Sequence, residues 1–348
     1  MLSSRREAIL KSIVERYINR AVPVPSQDIV QNNELSVSSA TVRNEMASLE
    51  HEGYIIRPHT SAGSIPSDKG YRYYVENLRE VEIPDADRVM IDHLFHQVEE
   101  ELENWLRLAA TLVAQLTRNV AVVSIPKSAG AKFKHIELVS LQDLMALIVF
   151  VLYGAKVKQQ LITFNEPVAQ SQLTAISNKL NEFYFGLNRE QITTKKAELT
   201  PLEADISDYL VRMMQVEDDR SPEEIYLEGW HFLFGEPEFS QSSRLRALME
   251  LAEHRSLLRT ILPQGLKDEG IKVVIGDENK AEAIKNYSVV LRRYGLPDEA
   301  TGTVGVVGPT RMQYARNLAV VNYFSTVLSE LVGELYGRKF EPKGVDPQ

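Results

Sequence analysis

From Leu35 to Arg72 the chain reads LSVSSATVRNEMASLEHEGYIIRPHTSAGSIPSDKGYR, and no other stretch narrows the possible folds as much. Val42, Met46 and Leu49 fall at i, i+4 and i+7 with Ala47 beside them, which predicts a helix with one apolar stripe. Ser38 or Ser39 is placed to cap its start and Gly53 to end it. A brief strand, Tyr54 to Arg57, and a loop rich in Ser, Gly and Pro follow. The stripe needs a core, and the upstream sequence supplies one: Ala8, Ile9, Ile13, Val14 and Tyr17 lie at helical spacing, AVPVP breaks the pattern, and Ser26 to Gln31 forms a short segment. Helix, short helix, turn, helix and wing is the order of a winged helix-turn-helix.

The face opposite the stripe carries Ser39, Thr41, Asn44, Ser48 and His51, with Arg43 on its flank. Most amphipathic helices with a polar outer face simply meet water. Inside this head, however, the same short polar side chains are suited to base edges and phosphates in a major groove. Thr41, Arg43 and Asn44 are the candidates for bases; Ser38, Ser39, Arg57, His59, Lys69 and Arg72 are those for the backbone, and Ser64 lies in the wing. The helix start, with its free N–H groups, also favours a phosphate.

The net charge of −9 argues against nucleic acid only until it is divided. Residues 1–80 hold ten Lys or Arg and ten Asp or Glu, so the head is neutral and the rest of the chain carries the whole excess. A neutral head gains modestly from phosphates, and an acidic body should face away from DNA. With no cysteine, disulfides and thiolate chemistry are excluded. MLSSRREAIL lacks the apolar block of a secretory signal, and no apolar run approaches a membrane span, so a cytoplasmic protein is expected.

Beyond the wing, Ser67 to Glu80 predicts a closing helix and VEIPDAD, residues 81–87, a linker. A long helix is expected from Arg88 to Thr117, where Phe95, Val98, Leu102, Trp105, Ala109, Leu112 and Leu116 form a seam. Such a seam fits either a sheet of the same chain or a partner across a dimer. Strands are expected at 119–125, 133–141, 144–153 and 157–164; MALIVFVLY, 145–153, is apolar throughout, as in a strand covered on both faces. Helices follow at 169–184, 200–215 and 243–256, with the aromatic run IYLEGWHFLFGEPEF before the last. Strands return at 271–275, 287–294 and 303–307 before a final helix, 312–336, and a frayed tail. A helical block between two β-rich halves implies an α+β chain in which one domain interrupts another.

No catalytic constellation is evident. His51, His59 and Glu52 could be imagined as metal ligands but are explained as polar groups near DNA. Gly302, Gly305 and Gly308 do not make the dinucleotide fingerprint, and Asp277, Glu278 and Asn279 read as a turn. Trp105 and Trp230 read as core or contact anchors. Neither an enzyme nor a cofactor is expected.

The head segment Ser36 to Val75, YLEGWHFLFGEPEF, VVIGDEN (273–279) and TGTVGVVGPTRMQYARNLAVV (301–321) together resemble the HrcA family of heat-inducible transcription repressors. The resemblance implies a homodimer that binds double-stranded DNA at an inverted repeat, CIRCE, ahead of groE- and dnaK-type chaperone operons, and that the chaperonin GroEL keeps active. It implies three parts: the winged head, 1–80; a GAF-like domain, 88–166 and 261–340, after the linker 81–87; and an inserted dimerising domain, 167–260. A GAF-like domain leaves open a regulator that senses a small molecule. The wings of the family usually carry Arg before Ile-Pro where this chain has Ser64, which implies a weaker grip or a contact taken over by Arg57, Lys69 or Arg72.

Overall fold

A computed structural model describes residues 2–30, 38–59, 63–79, 82–98, 101–128, 132–153, 156–195, 199–218, 225–239, 242–254, 256–262, 270–297 and 300–337. The segment before the helix expected to read DNA (31–37), the tip of the expected wing (60–62), part of the expected linker (80–81) and the tail (338–348) lie outside these residues. The protein is α+β with antiparallel sheets and divides into two compact units. The first comprises 1–125, 223–293 and 303–326; the second comprises 126–222, 294–302 and 327–348.

The first unit begins with α1 (Ser4–Arg20), α2 (Ser26–Val30) and α3 (Ser39–His51). Ile9, Leu10, Ile13 and Val14 of α1 meet Val42, Met46 and Leu49 of α3 in one buried core. Each such side chain contributes about 1.5–3 kcal/mol of burial. A short hairpin, β1 (Ile55–Ile56) with β2 (Ile65–Pro66), leads to α4 (Asp68–Glu76), capped where Ser67 Oγ accepts from Gly70 N–H at 3.1 Å.

The long helix expected over 88–117 is two helices, α5 (Asp85–Gln97) and α6 (Leu102–Thr117), because Val98 and Glu101 are extended. A continuous helix would set Glu99 beside Glu103 within a run of acids. The seam is internal: Trp105, Ala109, Leu112 and Leu116 are all buried within the chain's own fold. β3 (Val120–Ser124) follows α6 and enters the larger sheet.

In the second unit β4 (Lys127–Ser128) precedes a three-stranded antiparallel sheet of β5 (Phe133–Gln142), β6 (Met145–Leu152) and β7 (Lys156–Thr163). α7 (Gln170–Tyr184), α8 (Arg189–Lys195) and α9 (Pro201–Asp218) share its core, where Ile136, Ile148 and Phe150 meet Leu173, Leu180 and Leu210. The apolar run of β6 is therefore covered on one face only, contrary to the two-sided burial expected: Ala146, Ile148, Phe150 and Leu152 are buried and the alternate residues are not. Its helices all lie on one side, and continuous apolarity alone does not reveal that.

The chain then returns to the first unit with β8 (Ile225–Glu228), α10 (Trp230–Phe234), α11 (Ser242–Glu253), α12 (Leu257–Ile261) and β9 (Ile271–Ile275), and with most of β10 (Tyr287–Leu296), β11 (Ala300–Pro309) and α13 (Tyr314–Leu335), whose residues 294–302 and 327–335 belong to the second. The larger sheet runs β8-β3-β11-β10-β9, with β4 beside the start of β11. Leu233, Leu245 and Leu257 pack on Val122, Val289 and Leu291. The domain partition expected at 88–166 and 167–260 thus shifts: strands 133–163 belong with helices 170–218, and 225–261 belongs to the larger sheet. α13 is apolar enough to cross a membrane by composition, but half of that window is buried within the fold.

Candidate nucleic-acid interface

α3 starts where its serines predict. Ser38 Oγ accepts from Thr41 N–H at 3.2 Å and lies 2.9 Å from Thr41 Oγ1, which engages two of the polar groups at the helix start. Burial of Val42, Met46 and Leu49 turns the other face outward: Arg43, Asn44 and His51 are exposed, and Ser39, Thr41 and Ser48 are half-buried. The only hydrogen bond recorded for Arg43 among the described residues is a long one, 3.4 Å, from Nε to Ser26 Oγ. His59 is exposed beside the hairpin.

Sequence reasoning missed the residue that clamps α3. Arg6 on α1 donates from Nε to Glu45 Oε2 at 2.8 Å and from Nη1 to Glu52 Oε1 at 2.6 Å, tying the middle and end of α3 to α1. The partners are 39 and 46 residues away, so no local spacing reveals them. At the helix end Lys69 Nζ donates to Glu52 O at 2.8 Å and sits 4.3 Å above the Tyr54 ring. Its charge meets a helix C-terminus there, a favourable place for a cation. Arg57 lies 3.3 Å from Glu50, with both side chains 37% exposed.

Two of the expected contacts are not available in this structure. Ser64 is fully buried, because its N–H and C=O exchange hydrogen bonds of 2.9 Å with Val24 at the base of the hairpin. Gly63 lets this bridge close: a Cβ there would lie 2.4 Å from the Val24 carbonyl carbon. Arg72 donates from Nε to Glu278 Oε1 at 2.8 Å, from Nη2 to Glu278 Oε2, and to Val273 O at 2.9 Å. Burial pushes the Glu278 carboxyl up, but the Arg72 hydrogen bond, the Ile275 N–H and the charges of Arg72 and Lys272 outweigh it and hold it below the ordinary glutamate value. A bidentate, partly desolvated pair of this kind is far harder to displace than the exposed Arg57–Glu50 pair.

The Ser64 hydroxyl makes no hydrogen bond among the described residues. Ser64→Ala should therefore be neutral or stabilising, by up to about 1 kcal/mol, and leave DNA affinity unchanged. Thermal melting beside a DNA titration tests this; weaker binding at unchanged melting temperature would put the hydroxyl on DNA instead.

A cleft of about 540 Å³ is lined by charged and tyrosine side chains of α1 and α4, among them Glu7, Lys11, Glu15, Tyr73 and Tyr74, with Ala315. It lies against the head and is not enclosed by the larger sheet, so it gives a sensor domain no support. Among the described residues no three His, Asp or Glu side chains gather as a metal set.

Comparison with known proteins gives a consistent outcome. The family model for the HrcA protein C-terminal domain matches residues 103–318. A heat-inducible transcription repressor HrcA of Dehalococcoides mccartyi is 50% identical over 346 residues, covering 99% of this chain and 100% of the relative. Its counterpart in Herpetosiphon aurantiacus is 39% identical over 350 residues, covering 98% of each. Among solved structures, one described as a hypothetical protein matches with a TM-score of 0.63 at 24% identity, over 96% of this chain and all of that one. That likeness is one of fold.

Proposed function

The chain belongs to the HrcA family of heat-inducible transcription repressors, and from that membership we propose that it acts as a two-headed homodimer reading an inverted repeat. The family is one of DNA-binding repressors of heat-shock genes, not of enzymes. In this reading residues 1–80 form a winged helix-turn-helix, α3 enters the major groove, and the larger sheet is a GAF-like body. The observation that carries it is the face of α3. Its apolar stripe is consumed by α1, while Arg43 and Asn44 stand exposed at its outer side with few or no internal partners among the described residues.

The second unit is the proposed dimeriser, and its open sheet face supports that role. Val139 (40% exposed), Leu161 (56%) and Val157 (61%) stand on it with Leu147, Val149 and Val151 between them. The β5 edge is unsuited to strand addition, because amides of α7 occupy it. Asn181 Oδ1 accepts from Ile136 N–H at 2.7 Å, and Nδ2 donates to Ile136 O at 3.0 Å. Gln170 does the same between Ser140 N–H and Leu138 O. With that edge satisfied, the apolar face is the surface we assign to a second copy.

Footprinting on the DNA upstream of this organism's chaperone operons, with and without chaperonin, tests the proposal. Protection of an inverted repeat, strengthened by chaperonin, is the expected result. Absence of protection of any inverted repeat there would sink it.

A further inference from the structure

Three motifs of the body, IGDEN (275–279), GEPEF (235–239) and GPTRM (308–312), have no part in reading DNA, yet all three converge on the head. From the first, the Asp277 N–H donates to Asp68 Oδ2 at 2.8 Å, and Glu278 takes the Arg72 guanidinium. From the other two, Arg311 is held by Glu236 and Glu238 and donates from Nη1 to Ile18 O, at the end of α1, at 3.3 Å. Gln313 Nε2 donates to Asn19 Oδ1 at 2.7 Å, and the Tyr71 and Tyr314 rings lie 5.8 Å apart between these two sets of contacts.

Gly276 is fitted to this joint. Its φ is +51°, and a Cβ there would lie 2.0 Å from Asp68 Oδ2. A side chain at 276 and the Asp68 carboxylate in its present place exclude one another, so the Asp68 contact with the Asp277 N–H would be lost. The joint leaves the outer face of α3 free, since Arg43, Asn44 and His51 remain exposed while it is closed.

We infer that this joint sets the direction of the reading helix on the body, so that Asp68, Arg72, Gly276 and Glu278 are positioning residues that decide which spacing between half-sites the dimer accepts. This rests on the two-headed reading proposed above. The linker could not do it alone: the eight residues 77–84, between α4 and α5, could reach up to about 28 Å if extended. That is most of the roughly 34 Å of one DNA turn, so a head held only by its tether would tolerate many spacings. Five polar contacts, counting that of Arg72 with Val273 O, and a packed tyrosine pair remove that freedom.

The test uses the full chain in two measurements. Because the sequence has no cysteine, Gln27→Cys and Arg246→Cys can carry spin labels on head and body without background. Diluted with unlabelled chain, they report intrachain distances by pulsed electron paramagnetic resonance. The expected distribution is narrow in the parent and broad in Asp68→Asn/Glu278→Gln and in Gly276→Ala. In parallel, inverted repeats with spacers of all lengths up to two helical turns are selected from a pool. The parent should enrich one length. The variants should keep the same half-site sequence but lower the preference for that length by about tenfold, a loss of about 1.4 kcal/mol. An unchanged distance distribution overturns the inference, as does a single retained spacer in a variant whose distribution has broadened. If the parent itself selects no inverted repeat, the repressor reading fails, and the distance measurement alone still decides whether the joint holds the head.

Discussion

Leu147→Asp is expected to convert the protein to monomers and to lower operator affinity by about 100-fold or more, the range over which linking two binding modules raises avidity. Leu147 stands at the middle of the open face of the second unit. Val139 is opposite it on β5 and Leu161 opposite it on β7, a row of three aliphatic side chains across the sheet. A carboxylate placed there and pressed against a second copy would be buried without a partner, which costs several kcal/mol per copy. In the monomer the same carboxylate remains on an accessible face, while Ile148, on the buried side, is untouched. The fold should therefore survive with an unchanged melting temperature at low protein concentration. Sedimentation equilibrium reads the dimer and fluorescence anisotropy reads the DNA. A dimer that persists with full affinity would place the contact elsewhere in the chain.

The open face also shows where sequence reading stops. The alternation that would distinguish a one-sided from a two-sided strand is hidden in MALIVFVL, because its outward residues are as apolar as its inward ones. A face reserved for a partner carries the same signal as a core. Local periodicity does fix α3, the strand 271–275 and the closing helix α4, since each depends on neighbours within a few residues. Pairing does not. β3 lies between β8 and β11, strands separated from it by about a hundred residues or more, and nothing near Val120 shows that it pairs with Val307, or that Val122 pairs with Leu227, instead of the next strand along. The candidate site divides in the same way. Arg43 and Asn44 are legible from the helix face alone, whereas the engagement of Arg72 depends on Glu278, 206 residues away. The burial of Ser64 depends on Val24, across the hairpin base. A residue type marks a contact well only when the fold does not claim it first.

Asn44→Ala and Arg57→Gln should separate reading from gripping. The Asn44 side chain is exposed on α3, with no hydrogen bond among the described residues, one position along from Arg43. An asparagine amide in a major groove can pair bidentately with adenine, and a good pair of that kind discriminates by about 1–3 kcal/mol. Asn44→Ala should accordingly weaken the operator by about 5- to 150-fold and random DNA hardly at all, with no change in salt dependence. Arg57 is different, because its partner Glu50 is equally exposed and such a pair is worth only about 0–1 kcal/mol. A phosphate can replace that carboxylate at little cost, so Arg57→Gln should weaken operator and random DNA alike. It should also reduce the slope of log affinity against log salt by about one. Arg72, seated on Glu278 and Val273, should give no such change in slope while the joint is closed. Titrations of the variants across a range of salt decide the matter: equal losses on operator and random DNA for Asn44→Ala would remove α3 from the major groove and, with it, the reading of this face as the one that recognises sequence.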